Sequence, residues 1–207
     1  MVQNAHFGVS IFKLSLTFIA KVNALLGRLK EVRPKTQAEV FLRECCSFYG
    51  SNLWGMRHVQ TAETTWKVAI RRMLRLSPLT RSRYLHHLMG TKQLALKLHM
   101  QFISFAMSCL SSRNPVVSEQ AYRSLHGQST FFKGKVGDII YNYGLRCNGT
   151  LTEVAASVRN LVQDDLSNPP PEAVLIKELI DVRDGAVFVP GLDEGELNDL
   201  LVWCCVS

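Results

Sequence analysis

The chain has 207 residues, 47% of them hydrophobic and 20% charged, which is enough to bury a core and excludes a disordered or low-complexity chain. Its 24 Lys and Arg against 17 Asp and Glu give a net charge of +7. That surplus is uneven: residues 1–56 carry +4, residues 57–135 carry +11 and residues 136–207 carry −8. A basic middle of this kind suits a polyanion, and the acidic tail repels one, solvates the chain or folds back on the basic part.

Helical periodicity dominates and strand alternation is scarce. From Phe7 to Lys30 apolar residues recur at three- and four-residue steps until Arg33-Pro34 stops the pattern. A second helix is predicted from Thr36 to Tyr49, with Thr36 and Glu39 placed as a capping box. The third, Val59 to Leu76, carries Ala62, Trp66, Ile70, Met73 and Leu74 on its apolar face and Lys67, Arg71 and Arg75 on an adjoining stripe. Further helices are predicted at Ser82–Met89, Leu94–Leu110 and Pro115–Leu125. Glycines at 134, 137 and 144 reduce the next segment to a loop and a short helix over 138–143. Helices follow at Thr152–Asp165, Glu172–Asp181 and Glu194–Cys204, separated by Asn168-Pro169-Pro170-Pro171 and by a short extended stretch within 184–191. The expected fold is all-α, an irregular multi-helix bundle with a helical acidic C-terminal appendage. The expected divisions are an N-terminal helix and extension (1–35), a basic helical domain (36–130), a linker with short helices (131–170) and the acidic tail (171–207).

The six cysteines, at 45, 46, 109, 147, 204 and 205, match no zinc-ligand spacing and read as buried or idle thiols of a reducing compartment. The expected residence is intracellular, cytoplasmic or nuclear, and the Asn148-Gly149-Thr150 sequon is then without meaning. The apolar run Phe7–Ala20 contains Lys13, lacks a basic flank and is too short to span a bilayer, so neither a signal nor a membrane contact is expected. Enzyme signatures are equally scarce. Phe132-Lys133-Gly134-Lys135-Val136-Gly137 lacks a P-loop ending, and no nucleophile elbow or His-Glu-x-x-His helix occurs. Asp164-Asp165 is an acidic helix end, and the neighbouring rings of His86-His87 are expected to diverge, which suits a surface or phosphate role better than a metal. No catalytic residue, cofactor, metal or small-molecule substrate is expected.

From Arg57 to Arg113 ten Lys and Arg face the single acid Glu63, so intrahelical pairing cannot neutralise them. Phosphate is the natural partner of such a face. The alternative is a solvated face, or one that docks an acidic protein partner or the chain's own tail. Among the nearby aromatics Phe48, Tyr49, Trp54, Trp66 and Tyr84, helical phase assigns Trp66 to the core, and Tyr84 is the expected exposed ring for base stacking.

Two runs carry a family resemblance. Cys45-Cys46-Ser47-Phe48-Tyr49-Gly50-Ser51-Asn52-Leu53-Trp54 precedes the longer run from Thr65-Trp66-Lys67-Val68-Ala69-Ile70-Arg71-Arg72 to Thr80-Arg81-Ser82. Together they resemble the C-terminal, thumb-like region that follows the palm of non-LTR (LINE-type) retrotransposon reverse transcriptases. Ser111-Ser112-Arg113-Asn114-Pro115 and the tail Ile176–Gly185 are similar to that family as well, so the likeness runs from about Ala20 onward. The resemblance implies a helical segment that cradles a template and primer duplex of RNA or RNA/DNA hybrid. It places phosphate contacts at Lys67, Arg71, Arg72, Arg81 and Arg83; the charge pattern of the basic stretch adds Arg75 and Lys92, and Tyr84 joins them as the expected exposed ring. The Tyr-x-Asp-Asp motif of the palm does not occur in these residues, so the expectation is a nucleic-acid-binding fragment that is not an enzyme on its own.

Overall fold

The structure, a computed structural model, describes residues 11–46, 48, 51, 54–127, 131–147, 149–185, 187 and 190–206. Among them the chain is all α: ten helices and no strand. In chain order these are α1 (Ile11–Arg28), α2 (Pro34–Glu44), α3 (Met56–Met73), α4 (Leu85–Leu88), α5 (Leu94–Leu110), α6 (Pro115–His126), α7 (Phe131–Tyr143), α8 (Leu151–Ser167), α9 (Pro171–Arg183) and α10 (Glu194–Val206). No helix of the described residues is long and apolar enough to cross a membrane. The predicted extended stretch of 184–191 lies in part outside the described residues, as do Tyr49 and Asn148.

The chain divides into two compact units. The first gathers Met1–Phe48, Thr61–Thr91 and Pro169–Ser207. In it α1 packs on α2, α4 on α9, and α9 on α10. Phe18 meets Phe41 edge-on at 5.6 Å between ring centres, and Trp66, Ile70, Met73, Leu85, Ile176 and Leu201 are buried. The expected capping box at Thr36 and Glu39 is not formed. Pro34 opens α2 instead, because its fixed φ and missing N–H suit the first helical position. Gln37, one turn on, donates from Nε2 to the carbonyls of Leu29 (2.6 Å) and Val32 (2.8 Å), satisfying groups left over where α1 ends.

This unit brings the two oppositely charged parts of the sequence into one body. Residues 61–91 hold six basic side chains and one acid, while residues 169–207 hold two basic side chains and eight acids.

The second unit gathers Tyr49–Gln60 and Lys92–Asn168, and its core lies among α5, α6, α7 and α8. The segment expected to be linker and short helices therefore supplies two of its four long helices. Gly134 and Gly137 do not break α7, since Phe132, Val136 and Ile139 fall on one face and are buried, with Phe132 edge-on to Phe102 at 5.6 Å. Burying three such side chains contributes roughly 1.5–3 kcal/mol each, against about 1 kcal/mol lost per helical glycine.

The same face of α7 buries Lys135, whose Nζ lies 4.3 Å from the centre of the Phe102 ring. Burial pulls the Lys135 ammonium down to a pKa of about 8. His99 on α5 is buried too, with Nδ1 3.0 Å from the Tyr143 hydroxyl, and burial together with the Lys135 charge holds it near 4.

Candidate nucleic-acid interface

The expected basic residues meet at the end of α3, and the backbone there explains how they are held. The helix closes with the Leu76 amide donating to the Arg71 carbonyl (2.8 Å) and the Arg75 amide to the Arg72 carbonyl (3.2 Å), the paired bonds of a Schellman ending. Arg75 takes the left-handed position with φ +51°, the only residue other than glycine with positive φ among the described residues. Glycine is the usual occupant there, and a side chain costs roughly 1 kcal/mol or more. Arg183, from the end of α9, completes the closure by donating to the carbonyls of Leu74 (2.8 Å) and Arg75 (3.3 Å).

The segment after the helix folds back over the basic stripe. Arg71 donates twice to the Thr80 carbonyl (2.7 and 3.1 Å) and once to the Ser82 hydroxyl (2.9 Å). Thr80 is buried, its amide bonds to the Ser77 carbonyl, and the Arg81 amide donates to the Cys205 carbonyl of α10. Residues 77–82 are thus fixed at both α3 and α10. The guanidinium of Arg71 is consumed in this work, and burial lowers its pKa from the usual arginine value.

The eight expected binding residues separate into four groups. Arg72, Arg75, Arg81 and Arg83 are exposed, and none forms an ion pair among the described residues; Arg72 reaches only the Asn23 side chain, at 3.4 Å. Lys67 is half-buried and paired with Glu63 at 3.2 Å, the i,i+4 bridge to the one acid of this stretch. Arg71 and Tyr84 are structural. The expectation of an exposed Tyr84 is overturned: its exposure is 0%, and its hydroxyl accepts from Arg83 at 2.6 Å. The aromatic body fills the core and only its oxygen meets the surface cation, which a helical phase argument on so short an element could not resolve. Lys92 belongs to the second unit, half-buried, with Nζ 3.9 Å from the Met100 sulfur.

Other aromatics near the basic run are packed. Trp66 is buried as expected, Trp54 is buried in the second unit, and Phe48 stacks on Phe18 at 5.5 Å. The rings of His86 and His87 do not diverge: their centres are 3.9 Å apart, and His86 is buried, which removes its expected surface role. Adjacent Cβ atoms point apart on a helix, but two imidazoles reach far enough to turn back toward each other. Cys45, Cys46, Cys204 and Cys205 are buried, and burial pushes the thiols of Cys45, Cys204 and Cys205 up.

The first unit also carries a partly open pocket of about 210 Å³ between α2, α4 and α9, with Leu42, Leu88 and Ile180 in its walls and Lys35, Glu39, Lys177 and Asp181 around it. None of the eight expected binding residues lines it. Two features of the site escaped the sequence: the left-handed Arg75 and the reach of Arg183 across 108 residues. The Pro78 that follows the helix was a signal for the first, since proline shortly beyond a C-terminus accompanies such endings; nothing local announces the second. No family model, no curated protein and no solved structure matches the chain.

Proposed function

We propose that this chain is a non-catalytic nucleic-acid-binding segment, related to the template- and primer-cradling part of non-LTR retrotransposon reverse transcriptases, and that it contacts phosphate through Arg72, Arg75, Arg81 and Arg83. The observation that carries this reading is Arg75. An exposed arginine occupies the backbone position where glycine is less costly, and residues that bear such strain at a surface are commonly kept for what their side chain does. The Arg71 and Arg183 hydrogen bonds fix the segment that bears Arg75 and Arg81, so little ordering entropy remains for a phosphate backbone to remove.

A second reading has its own support. The acidic tail shares a unit with the basic segment, as expected if the basic face served to dock that tail. The contacts between them weigh against it. Their hydrogen bonds run through Arg183, itself a cation, and through backbone groups; the charge of Glu172 acts on Arg83, but no ion pair joins the two segments among the described residues.

Anisotropy titrations of a labelled RNA/DNA hybrid at rising salt test the proposal. Four phosphate contacts give a log-log slope of about −3.6, and each Arg→Ala change at these four positions reduces its magnitude by about 0.9. Arg75→Gly separates fold from function: it relieves the left-handed backbone, raising stability by about 1 kcal/mol, and still weakens binding. Absence of binding at low salt ends this reading and leaves the protein-docking one.

A further inference from the structure

We infer that the outward face of α10 is a docking site for a basic amphipathic helix, a partner distinct from nucleic acid. Apolar residues surround α10 on all sides: Leu197, Leu200, Leu201, Val202, Trp203, Cys204 and Cys205 cover every direction at 3.6 residues per turn. A helix of that kind is normally enclosed on every side. Here one side is enclosed. Leu197, Leu201, Cys204 and Cys205 are buried, while Leu200 and Trp203 stand 42% and 67% exposed.

The exposed side is organised. Glu196, Asp199, Leu200 and Trp203 are spaced by three, four and seven residues and so share one face. With Leu192 they line an open groove of about 550 Å³. Its start is rigid, because Asp193 Oδ1 accepts from the Glu196 amide (2.8 Å) and Glu196 Oε2 from the Asp193 amide (3.4 Å), a reciprocal cap. The groove therefore presents an apolar half at Leu200 and Trp203 and an anionic half at Glu196 and Asp199.

Charge selects the occupant. From Asp184 to the last residue there are five acids and no Lys or Arg. An anionic membrane or a nucleic acid is repelled by that field, and a second copy docked face to face would set Glu196 and Asp199 against their own equivalents. A helix with leucine-like residues on one side and lysine or arginine beside them satisfies both halves at once, by the helix-in-groove mode. Two turns of one helix form a small interface, so the affinity expected is in the micromolar range, on the order of 10 μM.

The test uses the full chain and a synthetic helical peptide of leucine and lysine in amphipathic order. Trp54 and Trp66 are 6% and 2% exposed, so a change in tryptophan emission reports Trp203. The expected result is a saturable blue shift at physiological salt that weakens about tenfold in Leu200→Ala and in the Glu196→Gln/Asp199→Asn double variant. Trp203→Phe should keep the affinity, read by calorimetry. All these positions are exposed, and an unchanged thermal melt confirms that the variants fold. Equal binding of oligolysine, indifference to Leu200→Ala, or concentration-dependent dimerisation abolished by Leu200→Ala without peptide would each overturn the inference. Failure here leaves hybrid binding at Arg72–Arg83 untouched, since the two surfaces share no residue.

Discussion

The end of α3 and the middle of α7 each break a local rule with a basic residue, in opposite directions. At α3 the chain accepts a left-handed backbone at Arg75 and keeps the guanidinium in water. At α7 it keeps regular helix geometry and takes the Lys135 ammonium out of water, 5% exposed and against Phe102. Both residues belong to the same +11 stretch of sequence, and only the first can meet an external anion. Charge along a chain therefore counts cations without saying which are available, and that difference is what packing decides.

The largest effect that would sharpen the contrast is at Lys135. Its folded pKa of about 8 lies below the ordinary 10.5, so between those values the unfolded chain binds more protons than the folded one, and stability rises with pH. The full rise is roughly 3 kcal/mol, complete above pH 10.5 and lost as pH falls through 8. Lys135→Met should be the more stable protein near neutrality and should lack that rise, which urea melts across this range will read. A wild-type stability that is flat relative to the variant would mean that Lys135 is solvated like Arg75, and the contrast would collapse.

Arg71 offers the next test, since it separates structural from available cations on one helix. Arg71→Lys keeps the charge and loses the fork that grips Thr80 and Ser82, so a loss of about 2 kcal/mol is expected. Exposed Arg72→Lys, one residue along, should change stability by less than about 0.5 kcal/mol. Equal effects in the two melts would return Arg71 to the binding surface.

How much of this was legible in the sequence follows from which forces are local. The helices with unbroken apolar period came through well: Leu94–Leu110 matches α5 at both ends, and Trp66 is in the core by phase alone. The basic stripe was visible because four-residue spacing is a property of one helix. What failed depended on residues far apart. Tyr84 is buried by the tertiary packing of its unit and tethered by Arg83, and Arg71 is diverted to Thr80 by a turn that only the folded chain defines. The short-range error at α2 came from weighing Thr36 and Glu39 above Pro34, although a proline at the first helical position has the stronger claim. The acidic tail was legible as charge but not as an outward stripe, because the split of α10 into a covered and an open face is set by α9.

Gly137 gives the smallest effect and bears on why α7 keeps its helix at all. Its position is exposed, and a Cβ built there meets nothing within 4 Å, as at Gly134. No packing reason for glycine exists at either place, so the helix is held by the buried face of Phe132, Val136 and Ile139 against the entropy that two glycines add to the unfolded chain. Gly137→Ala should then raise stability by about 0.5–1 kcal/mol, with no effect on hybrid binding. At α3 the direct counterpart, Arg75→Gly, should also stabilise, by removing a side chain where α7 gains one. Two substitutions of opposite chemistry with the same sign in a melt, and only one of them weakening the hybrid, would show that the strain at α3 is tied to binding and the slack at α7 is not. A destabilised Gly137→Ala would mean that the outer face of α7 is covered in solution, and would move the search for a partner to that helix.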